Sequence, residues 1–242
     1  MGFVMIENIY VCSDFLATKE KEQFSNRRWL IDVLMRPILL STGIKIQSFF
    51  SSLVGTDKFS RERFFSKSGV SFDKDATQIY FDERKITDDS CRYLSSFLSS
   101  RDLIIGYELS SQTRAVLRRI GVEYIDIWLH PVRFLDDILF AFNSSNKEVY
   151  DELKKFRVSE EVFYLYGNRL KVQAYKGYNR RELPIMSDSA LFVGQTLNDK
   201  AICDKGKYLT VLDFKEKVLN LTKQYSCVYY SRHPYVKKGD ER

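Results

Sequence analysis

Histidine occurs only twice in this 242-residue chain, and each time proline follows it, at His130-Pro131 and His233-Pro234. Proline fixes its own φ and holds the residue before it extended, so the backbone aims each imidazole. His233 ends the run Tyr229-Tyr230-Ser231-Arg232-His233 behind an apolar stretch. That places it at the carboxyl end of a strand, where open α/β sheets bind their ligands. Arg232, His233 and Lys237 together suit a phosphate, with the ring donating a hydrogen bond to it. The competing reading of the same residues is a solvated basic tail.

Three further stretches offer chemistry. Glu108 lies in Gly106-Tyr107-Glu108-Leu109-Ser110, at a strand-to-helix junction, so its carboxylate belongs at a sheet's carboxyl edge. Glycine there permits close approach of a ligand or of another backbone. Against this, Glu108 or Ser110 could simply cap the following helix. His130 and Arg133, in Trp128-Leu129-His130-Pro131-Val132-Arg133-Phe134-Leu135-Asp136-Asp137, follow the next strand and suit an anion. Equally, Trp128, Phe134 and Leu135 are core candidates and Arg133 can pair with Asp136 or Asp137. Gln195 and Asp199 lie in the polar turn after Val193-Gly194. A carboxylate such as Asp199 can attack an anomeric carbon and form a covalent glycosyl intermediate. Asn198-Asp199-Lys200 is also ordinary turn chemistry.

Positioning these groups requires strands that alternate with helices. Residues 6–12 form the opening strand, and Ser25 or Asn26 caps a helix from Arg27 that Gly43 stops. Residues 44–49 alternate like a strand, 88–99 read as a helix, and 102–107 as a buried parallel strand. A helix over 110–120 ends at Gly121, and 122–129 form the next strand. Residues 147–156 read as a helix, and 162–174 as extended, with Gly167-Asn168 as a candidate hairpin turn. After a loop rich in Gly, Asn and Arg, Pro184 marks the expected boundary between a domain over 1–184 and a second over 185–242. That second part holds one βαβ unit: strands over 191–193 and 226–230 and a helix over 212–224. The pattern specifies an α/β fold with a largely parallel sheet, followed by an incomplete second α/β domain.

Composition narrows the function. Hydrophobic residues at 44% and charged residues at 29% fit a folded globular protein and exclude extended disorder. The net charge of +6 is spread along the chain. Its arginine pairs accompany no recognised motif, so nucleic-acid binding gains no support. Cys12, Cys91, Cys203 and Cys227 lack metal-ligand spacing and suit reduced thiols in the cytoplasm. The apolar stretch over 29–40 is broken by Asp32 and Arg36-Pro37, so membrane contact would be peripheral. A Walker loop and a GxGxxG are absent, which argues against kinases and dehydrogenases.

Taken in order, Gly106-Tyr107-Glu108, His130-Pro131-Val132-Arg133-Phe134, Gly194-Gln195-Thr196 with Asp199, and Tyr230-Ser231-Arg232-His233-Pro234 form a series. It resembles that of the bacterial retaining β-Kdo glycosyltransferases of O-antigen and capsule assembly, glycosyltransferase family 99. The resemblance covers an N-terminal domain and the start of a C-terminal one. It implies a GT-B-like arrangement of two Rossmann-type domains that uses CMP-Kdo as donor, without a metal or other cofactor. Asp199 would be the nucleophile that retains configuration by double displacement, and Glu108 an acidic residue with an acid/base or orienting role. His233 would contact the donor's phosphate, and Arg232, Gln195, His130 and Arg133 would belong with it to the substrate-binding set. The implied partners are a nucleotide sugar and a glycan acceptor at the cytoplasmic side of the inner membrane. A polysaccharide-assembly complex, or a separate chain completing the donor domain, fits the same expectation. The family's donor domain continues well past its His-Pro motif, so two alternatives stand beside this one. They are a non-catalytic acceptor-binding or partner module, and a related sialyl-type transferase using another CMP-sugar.

Overall fold

A computed structural model describes residues 5–17, 20–52, 57–70, 83–130, 138–177, 185–196, 199, 202–204 and 207–236. The chain divides into two compact units, Met1–Tyr178 and Asn179–Arg242, a little before Pro184.

The first unit is built on a five-stranded sheet in the order β2-β1-β3-β4-β5. Its strands are β1 (Asn8–Ser13), β2 (Ile46–Ser48), β3 (Asp102–Tyr107), β4 (Glu123–Leu129) and β5 (Phe140–Ser144). The first four are mutually parallel, and β5 runs antiparallel along β4. Parallel neighbours need crossover connections, and these supply the helices. They are α1 (Glu20–Thr42), α2 (Arg61–Lys67), α3 (Asp88–Ser95) and α4 (Ser111–Arg119), with α5 (Lys147–Lys155) and α6 (Glu160–Gly177) following β5. Because successive side chains of a strand alternate between faces, two cores form. Ile9, Val11, Ile105 and Ile127 pack with Leu30 of α1 on one face. Cys12, Ile104 and Tyr124 pack with Phe64, Phe65, Leu94, Val116 and Leu117 on the other. Burial on both faces is why these strands read as continuous apolar runs in the sequence. The result is an α/β unit with a mostly parallel sheet, as the alternation of elements required.

Four local expectations need correction. The helix α1 begins at Glu20, which puts Ser25 and Asn26 inside it rather than at a cap. It passes through Pro37 and ends where Gly43 adopts φ +73. The strand read over 44–49 contracts to Ile46–Ser48, which pairs with β1 over Ile9–Val11. Residues 162–174 are helical, not extended. Their aromatic and β-branched composition favours a strand, but Val162, Phe163, Tyr166 and Leu170 are half-buried at helical spacing, and Glu160 and Glu161 suit the first turn. The strand β5 escaped the sequence reading because its exposed edge shows no alternating burial.

The second unit contains β6 (Ser189–Val193) and β9 (Cys227–Ser231) as a parallel pair, connected through α7 (Lys215–Gln224). A short antiparallel pair, β7 (Cys203–Asp204) and β8 (Lys207–Tyr208), lies between them in sequence. The Phe192 ring meets Phe214 at 5.9 Å and Tyr230 at 6.0 Å between centroids. Alternate positions leave Leu191 and Val193 62% and 69% exposed. Among the described residues, every buried apolar side chain lies at or before Ile127. No helix among them is long and apolar enough to cross a membrane.

Candidate carboxylate site at the sheet edge

The chain order of the first sheet reverses between β1 and β3, since β2 lies to one side of β1 and β3 to the other. Crevices in doubly wound sheets form at this switch point, outside the carboxyl ends of the strands. Asp14 follows β1 there, and Glu108 follows β3. Glu108 has φ +51 and is the only non-glycine residue with positive φ among those described. A left-handed conformation costs a side-chain-bearing residue about 1–2 kcal/mol, so the surroundings must hold it.

Three hydrogen bonds do so. The Glu108 N–H donates to Ile127 O at 2.9 Å. The Leu109 N–H donates to Asp126 Oδ1 at 2.8 Å, and the Ser110 N–H to Asp14 Oδ2 at 2.7 Å. Both aspartates are fully buried. Asp14 also accepts from the backbone N–H groups of Leu16 and Ala17 and from the Thr113 hydroxyl. Asp126 also accepts from Trp128 Nε1 at 2.8 Å and from Arg114 Nη1 at 3.4 Å. The turn is closed from below by Gly106, where a Cβ would lie 2.4 Å from the Leu109 side chain. Glycine is thus required for Leu109 to fold back over its own strand. Ser110, not Glu108, caps α4, accepting from the Thr113 N–H. Glu108 itself is half-buried at the edge.

Burial pushes the Asp126 carboxyl up to about 6, with Asp14 adding to the rise. The bonds from Trp128, Leu109 and Arg114 oppose it. Burial likewise drives the Cys12 thiol well above its ordinary range, assisted by Asp14 and Asp126 and opposed by Arg27. The strand ends thus form an acidic, desolvated platform beneath Glu108.

His130 closes β4, with its N–H donating to Leu139 O at 2.9 Å. Its ring packs on Phe163 of α6 at 4.4 Å between centroids. Phe163 also lines an open groove of about 830 Å³ between β5, α5 and α6, with Phe140, Phe142, Tyr150 and Leu153 as apolar walls and Arg157 beside them. Arg133 lies outside the described residues.

In the second unit, Val193 and Ser231 are paired in register, so the segments after β6 and β9 leave from one carboxyl edge. The Gly194 N–H donates to Ser231 O at 2.8 Å, and a Cβ on Gly194 would stand 2.4 Å from Tyr230 Oη. Gln195 Oε1 accepts from the Thr196 N–H, and the Asp199 N–H donates to Thr196 O at 3.2 Å. Asp199 is half-buried. His233 Nδ1 accepts from the Tyr235 N–H at 3.2 Å, which leaves Nε2 as the ring's donor. Arg232 beside it is exposed. Gln195 and Asp199 thus follow β6, and Arg232 and His233 follow β9, at one carboxyl edge, as Glu108 and His130 follow β3 and β4 at the other unit's edge.

The sequence reading missed Asp14 and Asp126. A signal was present for each: Asp14 directly follows the first strand, and Asp126 is a lone charge inside the apolar run Tyr124-Ile125-Asp126-Ile127-Trp128. Among the described residues, no three His, Cys, Asp or Glu side chains come together as a metal-binding group. The chain matches no protein-family model, no curated protein and no solved structure.

Proposed function

We propose that this chain acts in glycosyl transfer from a CMP-activated sugar, with Kdo as donor sugar, onto a bacterial surface glycan. The observation that carries the reading is Glu108, a carboxylate held in a left-handed backbone at the switch point by two buried aspartates. Strain of this kind collects where a side chain must be presented to a ligand. In this reading Glu108 accepts the proton of the acceptor hydroxyl. The Asp199 carboxylate attacks the anomeric carbon as the bond to the CMP phosphate breaks, and the acceptor oxygen then displaces it with net retention. His233 Nε2 and Arg232 receive the charge that develops on the phosphate, and Gln195 adds a polar contact. His130 and Arg133 belong to the substrate-binding set. The motif series supports a GT-B-like, metal-free enzyme of the retaining β-Kdo type, working at the cytoplasmic face of the inner membrane.

The test is calorimetric titration with CMP, comparing the chain with His233→Ala, followed by a CMP-Kdo transfer assay. Saturable CMP binding lost in His233→Ala, and transfer lost in Asp199→Asn and Glu108→Gln, is the expected result. Unchanged transfer in Asp199→Asn sinks the mechanism. A sialyl-type donor predicts the same mutant pattern and is separated by replacing CMP-Kdo with CMP-sialic acid.

A second reading rests on a different observation, the absence of any buried apolar side chain beyond Ile127 among the described residues. A non-catalytic acceptor-binding or partner module, completed by another chain, would leave such surfaces open. It predicts glycan binding without CMP binding, and no effect of replacing Asp199.

A further inference from the structure

The helix α6 has two unlike sides. Val162, Phe163, Tyr166 and Leu170 are half-buried. Opposite them, Tyr164, Leu165, Val172 and Tyr175 are 72%, 67%, 51% and 66% exposed. At 3.6 residues per turn, these four fall within an arc of about 100°. Lys171 borders that arc on one side, and Lys176 and Arg169 on the other, all exposed. Throughout 171–176 every residue is exposed, and between Val162 and Lys176 there is no acidic residue.

A helix that turns such an apolar face to water gains stability when something covers it. A second copy is a poor cover, because it would bring Arg169, Lys171 and Lys176 against an identical set of cations. A bilayer with anionic headgroups answers both features at once. Leucine and valine enter the acyl boundary, the tyrosine rings sit at the interface, and the flanking cations reach the phosphates on their flexible stems.

We propose that the outer face of α6, Tyr164, Leu165, Val172 and Tyr175 flanked by Arg169, Lys171 and Lys176, docks this protein on a bilayer surface carrying anionic lipid. The inference is independent of the sugar chemistry proposed above, and its test needs no donor or acceptor. The full chain is sedimented with vesicles of phosphatidylglycerol and phosphatidylcholine in equal parts, and with phosphatidylcholine alone, at low and high salt. It binds the anionic vesicles more tightly, and salt weakens that binding. Removing two cations, Lys171→Gln with Lys176→Gln, weakens partitioning about 30-fold. Leu165→Ser with Val172→Ser weakens it at every salt concentration, while circular dichroism and the urea midpoint report an intact fold. Equal binding to both vesicle types, or no effect of the glutamine pair, overturns the proposal. Absence of vesicle binding overturns it as well, and a dimer in light scattering would then assign the face to a second copy.

Discussion

The two units carry the same local device, a parallel strand pair with a polar turn at its carboxyl edge, in opposite physical settings. At the end of β1 and β3, the turn is anchored by two fully buried aspartates and covered by cores on both sheet faces. At the carboxyl end of β6 and β9 the turn is held by the Gly194 N–H bond to Ser231 O, and the unit's anchoring carboxylate, Asp188, sits instead at the amino end of the pair, where its Oδ2 accepts from the Ser226 N–H and hydroxyl in an exposed setting. The strained backbone is found only in the first setting: Glu108 has φ +51, and no described non-glycine residue of the second unit has positive φ. A conformation costing about 1–2 kcal/mol persists only where burial over-determines it. Rigid presentation of a carboxylate is therefore a property of the first edge.

The largest test of that contrast is a pair of truncations measured by denaturant unfolding. Asp126→Ala leaves the Leu109 N–H and Trp128 Nε1 without their acceptor and costs about 3 kcal/mol, whereas Asp188→Ala costs about 1 kcal/mol or less. Equal costs would erase the distinction between a buried and an exposed carboxylate anchor.

The same pair sharpens the contrast through pH. The Asp126 carboxyl stands at about 6 when folded, against about 3.9 when unfolded, so the folded protein binds this proton more tightly. Its contribution to stability is thus fully present below about pH 4 and is lost as pH rises to about 6, by up to about 3 kcal/mol. Unfolding free energies measured across that range should show the cost of Asp126→Ala growing as pH falls. The cost of Asp188→Ala should show no such trend.

Glycine replacement gives a smaller effect. A methyl at Gly106 meets the buried Leu109 side chain and costs about 1–3 kcal/mol, while at Gly194 it meets Tyr230, which is 45% exposed and can swing aside. Thermal midpoints of Gly106→Ala and Gly194→Ala decide this. The smallest effect runs the other way. Glu108→Gly relieves the left-handed strain and raises stability by about 1 kcal/mol, while removing the carboxylate that the proposed transfer needs. A fall in stability would mean that the Glu108 side chain itself holds the turn.

Much of this was written locally. Ser110 and Gly121 bracket α4 as cap and stop, and the apolar run at 102–107 gave β3 to the residue. From these ends alone, Glu108, His130 and His233 could be placed at strand termini. Their surroundings could not. The left-handed turn at Glu108 depends on Asp14, which is 96 residues from its bond partner Ser110, and on Asp126 across the sheet. Likewise, α6 is a helix because its half-buried face has something to pack against, although its composition speaks for a strand.

The sequence by itself determined the alternation of strand and helix over 102–129, and so which polar residues there reach a sheet edge. Only the tertiary structure decided which carboxylates are buried, which turn is strained and which helical face stays in water. Periodicity and capping act over a few residues, whereas desolvation is set by every chain segment that happens to pack around a group.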